Sequence, residues 1–302
     1  MTNPFNHADF QEEMKPKLSM AFRALEYENI ESSITKVCAE LSDKLGTETY
    51  EAICASSTNN ENEEPSEVKA DALDYLQRAI LHFALYHHII YLIANVDNDG
   101  VTVTKSEDKT TVYKYQQDQL EEHLIGDAWF WLNRLIKLLN DNPEEFPEWA
   151  ESEQHDTLVG LPVNIGDFER FVGVSDMIFL LYAGWIVREV HRECILSRQA
   201  AAAPLSERQK QALCYDVMAR ACRRLAYHAL PSPIRIDINN EMGKNHAAQA
   251  DTAIREKIAG EFEQKAAAYW KSVDAEKQQE QAAQTAEYGS SRRLSERDKF
   301  AC

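Results

Sequence analysis

Helix-breaking residues are scarce in this chain. Ten glycines and nine prolines among 302 residues fall mainly between long periodic segments, which excludes collagen-like and low-complexity architectures and favours an α-rich protein with ample core material. The short signatures of common enzymes are also missing: there is no H-E-x-x-H, no G-x-x-x-x-G-K-[ST], no G-x-S-x-G and no G-x-G-x-x-G. None of the nine histidines has Glu three residues before it, which removes the ligand pattern of a di-metal four-helix bundle. The cysteines (Cys38, Cys54, Cys194, Cys214, Cys222 and Cys302) stand singly, form no C-x-x-C pair and follow no secretory leader, so a reduced, intracellular protein is expected. Positive charge is in deficit. A formal net charge of −18 disfavours sequence-blind affinity for nucleic acid, which depends on Lys and Arg displacing counterions from phosphates.

One stretch lacks charge altogether. From Ala79 to Val96 (AILHFALYHHIIYLIANV) there is no Asp, Glu, Lys or Arg, and apolar residues occupy every side of the helical wheel, the pattern of a helix surrounded by protein. A membrane span would need about 20 apolar residues, and here His82, His87, His88 and Asn95 would stand in hydrocarbon. No membrane partner is expected. The turn signal Asp97-Asn98-Asp99-Gly100 follows. Val101 and Val103 then alternate with Thr102 and Thr104, and a second β-prone run extends from Thr111 to Tyr115, so a short β-hairpin insert is predicted, marginal by itself. Helix resumes near Gln117, places Leu120, Leu124, Ala128, Trp131, Leu135 and Leu138 at three- and four-residue spacings, and stops at Asn140-Asp141-Asn142-Pro143.

Other helices are expected from Phe10 to Tyr27 (disturbed at Pro16), from Ile30 to Leu45, and after Gly46, where Thr47 can cap. Ala55 to Lys69 reads as a polar acidic loop. Asp141 to Gly160 reads as an acidic linker anchored by Phe146 and Trp149. Asp176 to Arg198 carries an apolar face, and Ser206 with Gln209 forms a capping box that opens a helix from Glu207 to Leu230. Ile234, Ile236 and Ile238 alternate with Arg235 and Asp237 as a strand would, and a long Ala-rich helix is expected from Ala247 to at least Val273.

Laying the second half on the first at an offset of 140 residues pairs Ala72, Leu73, Tyr75, Ala79, Leu85 and His88 with Ala212, Leu213, Tyr215, Ala219, Leu225 and His228. Ala128-Trp129-Phe130 then falls on Ala268-Tyr269-Trp270. The expected organisation is therefore mainly α, a helical bundle with short β-hairpin inserts in two tandem related modules, 1–150 and 151–275, followed by a C-terminal arm, 276–302.

Few residues suggest chemistry. His82 and His88 lie about 600° apart on the wheel, on different faces, so satisfied core histidines are the better reading than a metal site. Asn95, Asp97 and Asp99 with Gly100 mimic the start of a calcium loop whose twelfth position is Ser106 rather than Glu. His191 and Cys194 make half a zinc site. Trp129, Phe130 and Trp131 lack a basic groove to accompany base stacking. No catalytic, cofactor-binding or metal residues are assigned, and no enzyme activity is expected. The terminus departs from the acidic background: Arg292, Arg293, Leu294, Arg297 and Phe300 form a net-positive segment suited to order on an acidic or grooved partner.

The uncharged helix, the D-N-D-G-V turn, the β-prone insert, the helix ending WFWLNRLIKLLNDN and the FPEW linker together resemble the head-tail connector (adaptor) proteins of tailed bacteriophages. The likeness is greatest to an uncharacterised family of phage and prophage proteins from Bacteroides-type hosts, and it covers residues 70 to 150. This resemblance implies a virion protein made in the host cytoplasm and forming a homo-oligomeric ring, usually of twelve subunits. The ring would lie between the portal protein and the tail or further connectors, with DNA passing through an acidic lumen without specific binding. It also implies that the insert, with Val101, Val103 and Tyr113, meets a neighbour or the tail, while the C-terminal arm reaches the portal. An intracellular helical assembly chaperone or scaffold is the alternative.

Overall fold

The computed structural model describes residues 2–5, 10, 12, 16–18, 26–55, 66–97, 100–103, 114–198, 203–245 and 250–297, with side chains at 90–118, 240–251, 284 and 286–302 outside the description. Two helical hairpins dominate it. The first joins α3 (Glu67–Ile93) to α4 (Lys114–Asp141), which run antiparallel, with Lys69 beside Glu145, Tyr75 against Trp131 and His82 near Asp127. The second joins α9 (Glu207–Arg224) to α11 (Ala250–Arg297), with Tyr215 stacked on Tyr269 and Arg223 bound to both Glu256 and Glu263.

Before the first hairpin come α1 (Tyr27–Leu45) and α2 (Thr47–Ala55). Gly46 makes the bend between them at φ +87°, a left-handed conformation that costs glycine least; a Cβ there would sit 2.9 Å from Oε1 of Gln154. Thr47 is thus the first helical residue rather than the cap. Between the hairpins lie α5 (Pro147–Ala150), α6 (Glu153–Val159), α7 (Ile165–Val172) and α8 (Met177–Val190), and α8 continues through a π-helical turn, His191–Ile195. The acidic segment after Asp141 is therefore folded as two short helices. Its expected anchors hold: Phe146 and Trp149 are fully buried, and the Trp149 indole N–H donates to Oδ1 of Asn140 at 2.8 Å.

The local signals act as their chemistry requires. Ser206 Oγ accepts from the Gln209 N–H while the Gln209 side chain accepts from the Ser206 N–H, the reciprocal box that starts α9. Asn164 and Asp167 do the same for α7, whose end Gly173 caps at φ +77°.

A single connected core runs through both hairpins. Ala79, Ile80, Leu81, Ala84 and Leu85 are fully enclosed, packed by other parts of the same chain, as the charge-free run demands. α1 and α3 pack together, and α8 contacts both α4 and α9.

Three expectations need correction. Ile234 to Ile238 is helical, inside α10 (Ser232–Asn245): Ile234 and Ile238 are buried one turn apart while Ile236 is exposed, so the spacing of alternate isoleucines there belongs to a 3.6-residue period. Among the described residues the β-insert is paired differently, and Thr111 to Tyr113 of the expected second run lie outside them. β1 (Ala94–Asp97) pairs antiparallel with β2 (Gly100–Val103), setting Val96 opposite Val101 and Ala94 opposite Val103, and Lys114 and Tyr115 belong to α4 instead. Helix α9 ends at Arg224, and a 3-10 turn, Tyr227–Ala229, follows. Most of the expected Phe10 to Tyr27 helix lies outside the described residues.

Trp149→Ala should lower unfolding stability by about 3–5 kcal/mol, read from urea denaturation, because it empties a fully enclosed site and orphans Asn140.

Candidate functional site

The residues predicted to meet partners divide between two places. Val101 and Val103 lie on β2, their side chains undescribed; Tyr113 and Phe300 lie outside the described residues. Arg292, Arg293, Leu294 and Arg297 fall on the last turns of α11. That helix is 48 residues long, and every described side chain from Lys277 to Thr285 is exposed.

A buried polar seam, which sequence reasoning missed, joins the hairpins. Arg235 on α10 has no exposed surface. Its guanidinium donates to both oxygens of Glu122 on α4 (3.2 and 3.0 Å) and to the Leu230 carbonyl, and it lies over the Trp129 ring at 5.1 Å. Ser232 and Tyr227 hydroxyls also donate to Glu122, at 3.1 and 3.3 Å. The Trp129 indole N–H donates to the His228 carbonyl at 2.9 Å, and the His228 ring lies 3.1 Å from a Glu40 oxygen that also accepts from the Tyr182 hydroxyl at 2.8 Å. Burial pushes the Glu40 carboxyl up, but hydrogen bonds from His228 and Tyr182 together outweigh it and hold the group down at about 2.

Histidines on α3 are buried or half-buried, and His87 packs against this seam. His82 reaches the Arg78 carbonyl at 2.7 Å through Nδ1. His87 packs 5.8 Å from the His228 ring, and its buried Nε2 has no hydrogen-bond partner. Burial lowers the pKa of His82 and of His87, with Lys36 and His228 adding to the effect at His87. Hence the expectation of satisfied core histidines holds for His82 and not for Nε2 of His87. Burial holds the described thiols in their neutral form, raising Cys54 and Cys222 to about 12 and Cys194 to about 11. Among the described residues no three His, Cys, Asp or Glu side chains gather to hold a metal ion.

On the surface, α4 opens a groove of about 680 Å³ lined by Tyr75, Phe130, Arg134, Lys137, Asp141 and Asp176, among others. Of the WFW triplet, Trp129 is core, Trp131 is half-buried beneath Arg78 at 4.6 Å, and Phe130 is 51 % exposed on the groove's rim. Arg134 lies over both Phe130 (5.3 Å) and Tyr75 (5.7 Å). Burial holds the Asp176 carboxyl above its usual range, offset in part by Arg235 and by an Asn133 hydrogen bond of 2.8 Å.

Fold and site define a mainly helical protein with a polar seam centred on the buried Arg235 and an open groove beside Phe130. The sequence model of a family of unknown function (DUF6712) matches residues 41–157 and 193–282, more than half of the chain. The chain belongs to that family; the first matched stretch contains the first helical hairpin, and the second covers α9 and α11 as far as residue 282. No curated protein and no solved structure matches it.

Glu122→Gln should cost about 3–5 kcal/mol, because it leaves the Arg235 charge buried without its counter-charge. The double variant Glu122→Leu with Arg235→Met should recover most of that loss in the same denaturation measurement. Stability should also fall as pH drops below the ordinary histidine pKa of about 6.5, since an unfolded chain then binds protons that buried His82 and His87 refuse. In His87→Asn the slope of stability between pH 7 and 5 should flatten.

Proposed function

We propose that this protein is a structural component of a tailed-phage particle: a head-tail connector that assembles with its own copies, twelve in the simplest case. It would join the portal to the tail or to further connectors. The observation that carries this reading is the unaccompanied distal part of α11, an arm whose described side chains are all exposed and whose end concentrates Arg292, Arg293 and Arg297. Gly289-Ser290-Ser291 lower the intrinsic helix stability of this end, which would gain from docking. Three further points support it: the resemblance over residues 70 to 150, the absence of a reactive constellation among the described residues, and a net charge of −18, which would keep DNA from sticking to a lumen.

Tandem duplication of a helical-hairpin module, 1–150 and 151–275, is part of this proposal, with the arm, 276–302, appended. The offset of 140 pairs α3 with α9, and Ala72 with Ala212 and Ala79 with Ala219 are buried at both positions. In the second helix the burial slips by one residue, Trp129 corresponding to Trp270 rather than to Tyr269. Val101, Val103 and Tyr113 would face a neighbour or the tail.

A second reading is an assembly chaperone or scaffold that leaves before the particle is finished. It is favoured by one observation: Ala79 to Leu85 is enclosed by the chain itself and needs no neighbouring copy to cover it.

Mass photometry of the protein alone and with its portal should give a ring and a ring-portal complex, and cutting after Glu287 should weaken the second. A chain that stays monomeric and ignores the portal would overturn the proposal. Detection in purified virions separates connector from chaperone.

A further inference from the structure

We propose that the α4 groove receives the carboxylate ridge Asp141–Asp156 of a second copy of this chain. The inference deepens the connector reading by naming a surface through which copies meet, and it rests on that reading only for the claim that they assemble.

Composition is the first argument. Tyr and Arg are residue types that dominate the energetic centres of protein interfaces, and here the Arg134 guanidinium lies over two rings, Phe130 (5.3 Å) and Tyr75 (5.7 Å), the first of them half exposed. Packing on those rings fixes the side chain in advance, so little freedom is lost when a carboxylate arrives.

Charge is the second. Most described arginines are already committed to carboxylates, Arg220, Arg223, Arg224 and Arg235 among them. Arg134 is different: its described contacts are aromatic rings, and neither it nor the adjoining Lys137 takes part in an ion pair among the described residues. Asp141 and Asp176 also line the groove, and neither has an ion pair with Arg134 or Lys137 among the described residues.

The chain itself supplies the complement. Residues 141–160 contain seven carboxylates and no Lys or Arg. Glu144, Glu151, Glu153 and Asp156 are exposed, and of the seven only Glu145 has an ion pair among the described residues, with Lys69 at 3.8 Å. The ridge begins at Asp141, itself a lining residue of the groove, so each copy offers both surfaces next to each other and can give and receive at one contact. Two chains of charge −18 repel at a distance, but salt at 0.15 M confines that repulsion to about 8 Å, leaving the local pairing to decide.

Sedimentation velocity of the full chain at 0.15 M salt, over a range of concentrations, provides the test. Wild type should self-associate. Arg134→Glu combined with Lys137→Glu should weaken that association roughly tenfold or more, and so should Glu144→Lys combined with Glu148→Lys. Mixing the two variants should restore hetero-association that neither shows alone. Phe130→Gln should weaken it without changing any charge, and circular dichroism should show every variant folded. A monomeric wild type, an unaffected groove variant, or a mixture that fails to rescue would each overturn the inference. Portal binding measured on the same samples keeps the two readings apart: if it survives while the groove test fails, the connector reading stands without this contact.

Discussion

A guanidinium with no access to water constrains the centre of this molecule. An uncompensated charge at that depth would destabilise the fold by several kcal/mol, so Arg235 can be there only while Glu122, the Leu230 carbonyl and the Trp129 ring surround it. Glu122 and Trp129 lie on one helical hairpin; Leu230 and Arg235 belong to the connection within the other. The seam therefore ties the two hairpins in a single register. Through the Trp129 indole and the His228 backbone the same network reaches Glu40 on α1 and Tyr182 on α8, so four separate parts of the chain are positioned by groups that tolerate little displacement.

The outer charges behave differently. Arg220, Arg223 and Arg224 on α9 bind Glu189, Glu193, Glu256 and Glu263 in networks open to solvent. Such pairs contribute little singly. They neutralise one flank of an acidic protein, whereas Arg134 and Lys137, beside the exposed Phe130, have no ion pair among the described residues.

Long periodic elements were legible from the sequence because their physics is local. The charge-free run from Ala79 had to be enclosed, Ser206 and Gln209 had to cap, and Phe146 and Trp149 had to anchor an otherwise polar segment. Ile234 to Ile238 misled because three alternate isoleucines fit either period, and the helical one prevails: Ile234 and Ile238 share a buried face one turn apart while Ile236 points outward. The hairpin partner was misplaced because β1 is cut from the end of an apolar run that reads as unbroken helix. The seam was illegible for another reason. Glu122 and Arg235 are 113 positions apart, and each taken alone resembles an ordinary solvated charge. The Phe130 groove left only the WFW triplet as a trace, with no signal of which ring would face outward.

The unbroken course of α11 carries a mechanical consequence. At about 1.5 Å per residue its 48 residues make a rod of roughly 70 Å whose first half is bolted to α9 by stacked rings and ion pairs. The half that packs on α9 is thereby rigid, and the far half, weakened at Gly289-Ser290-Ser291, would act as a strut once held and as a tether until then.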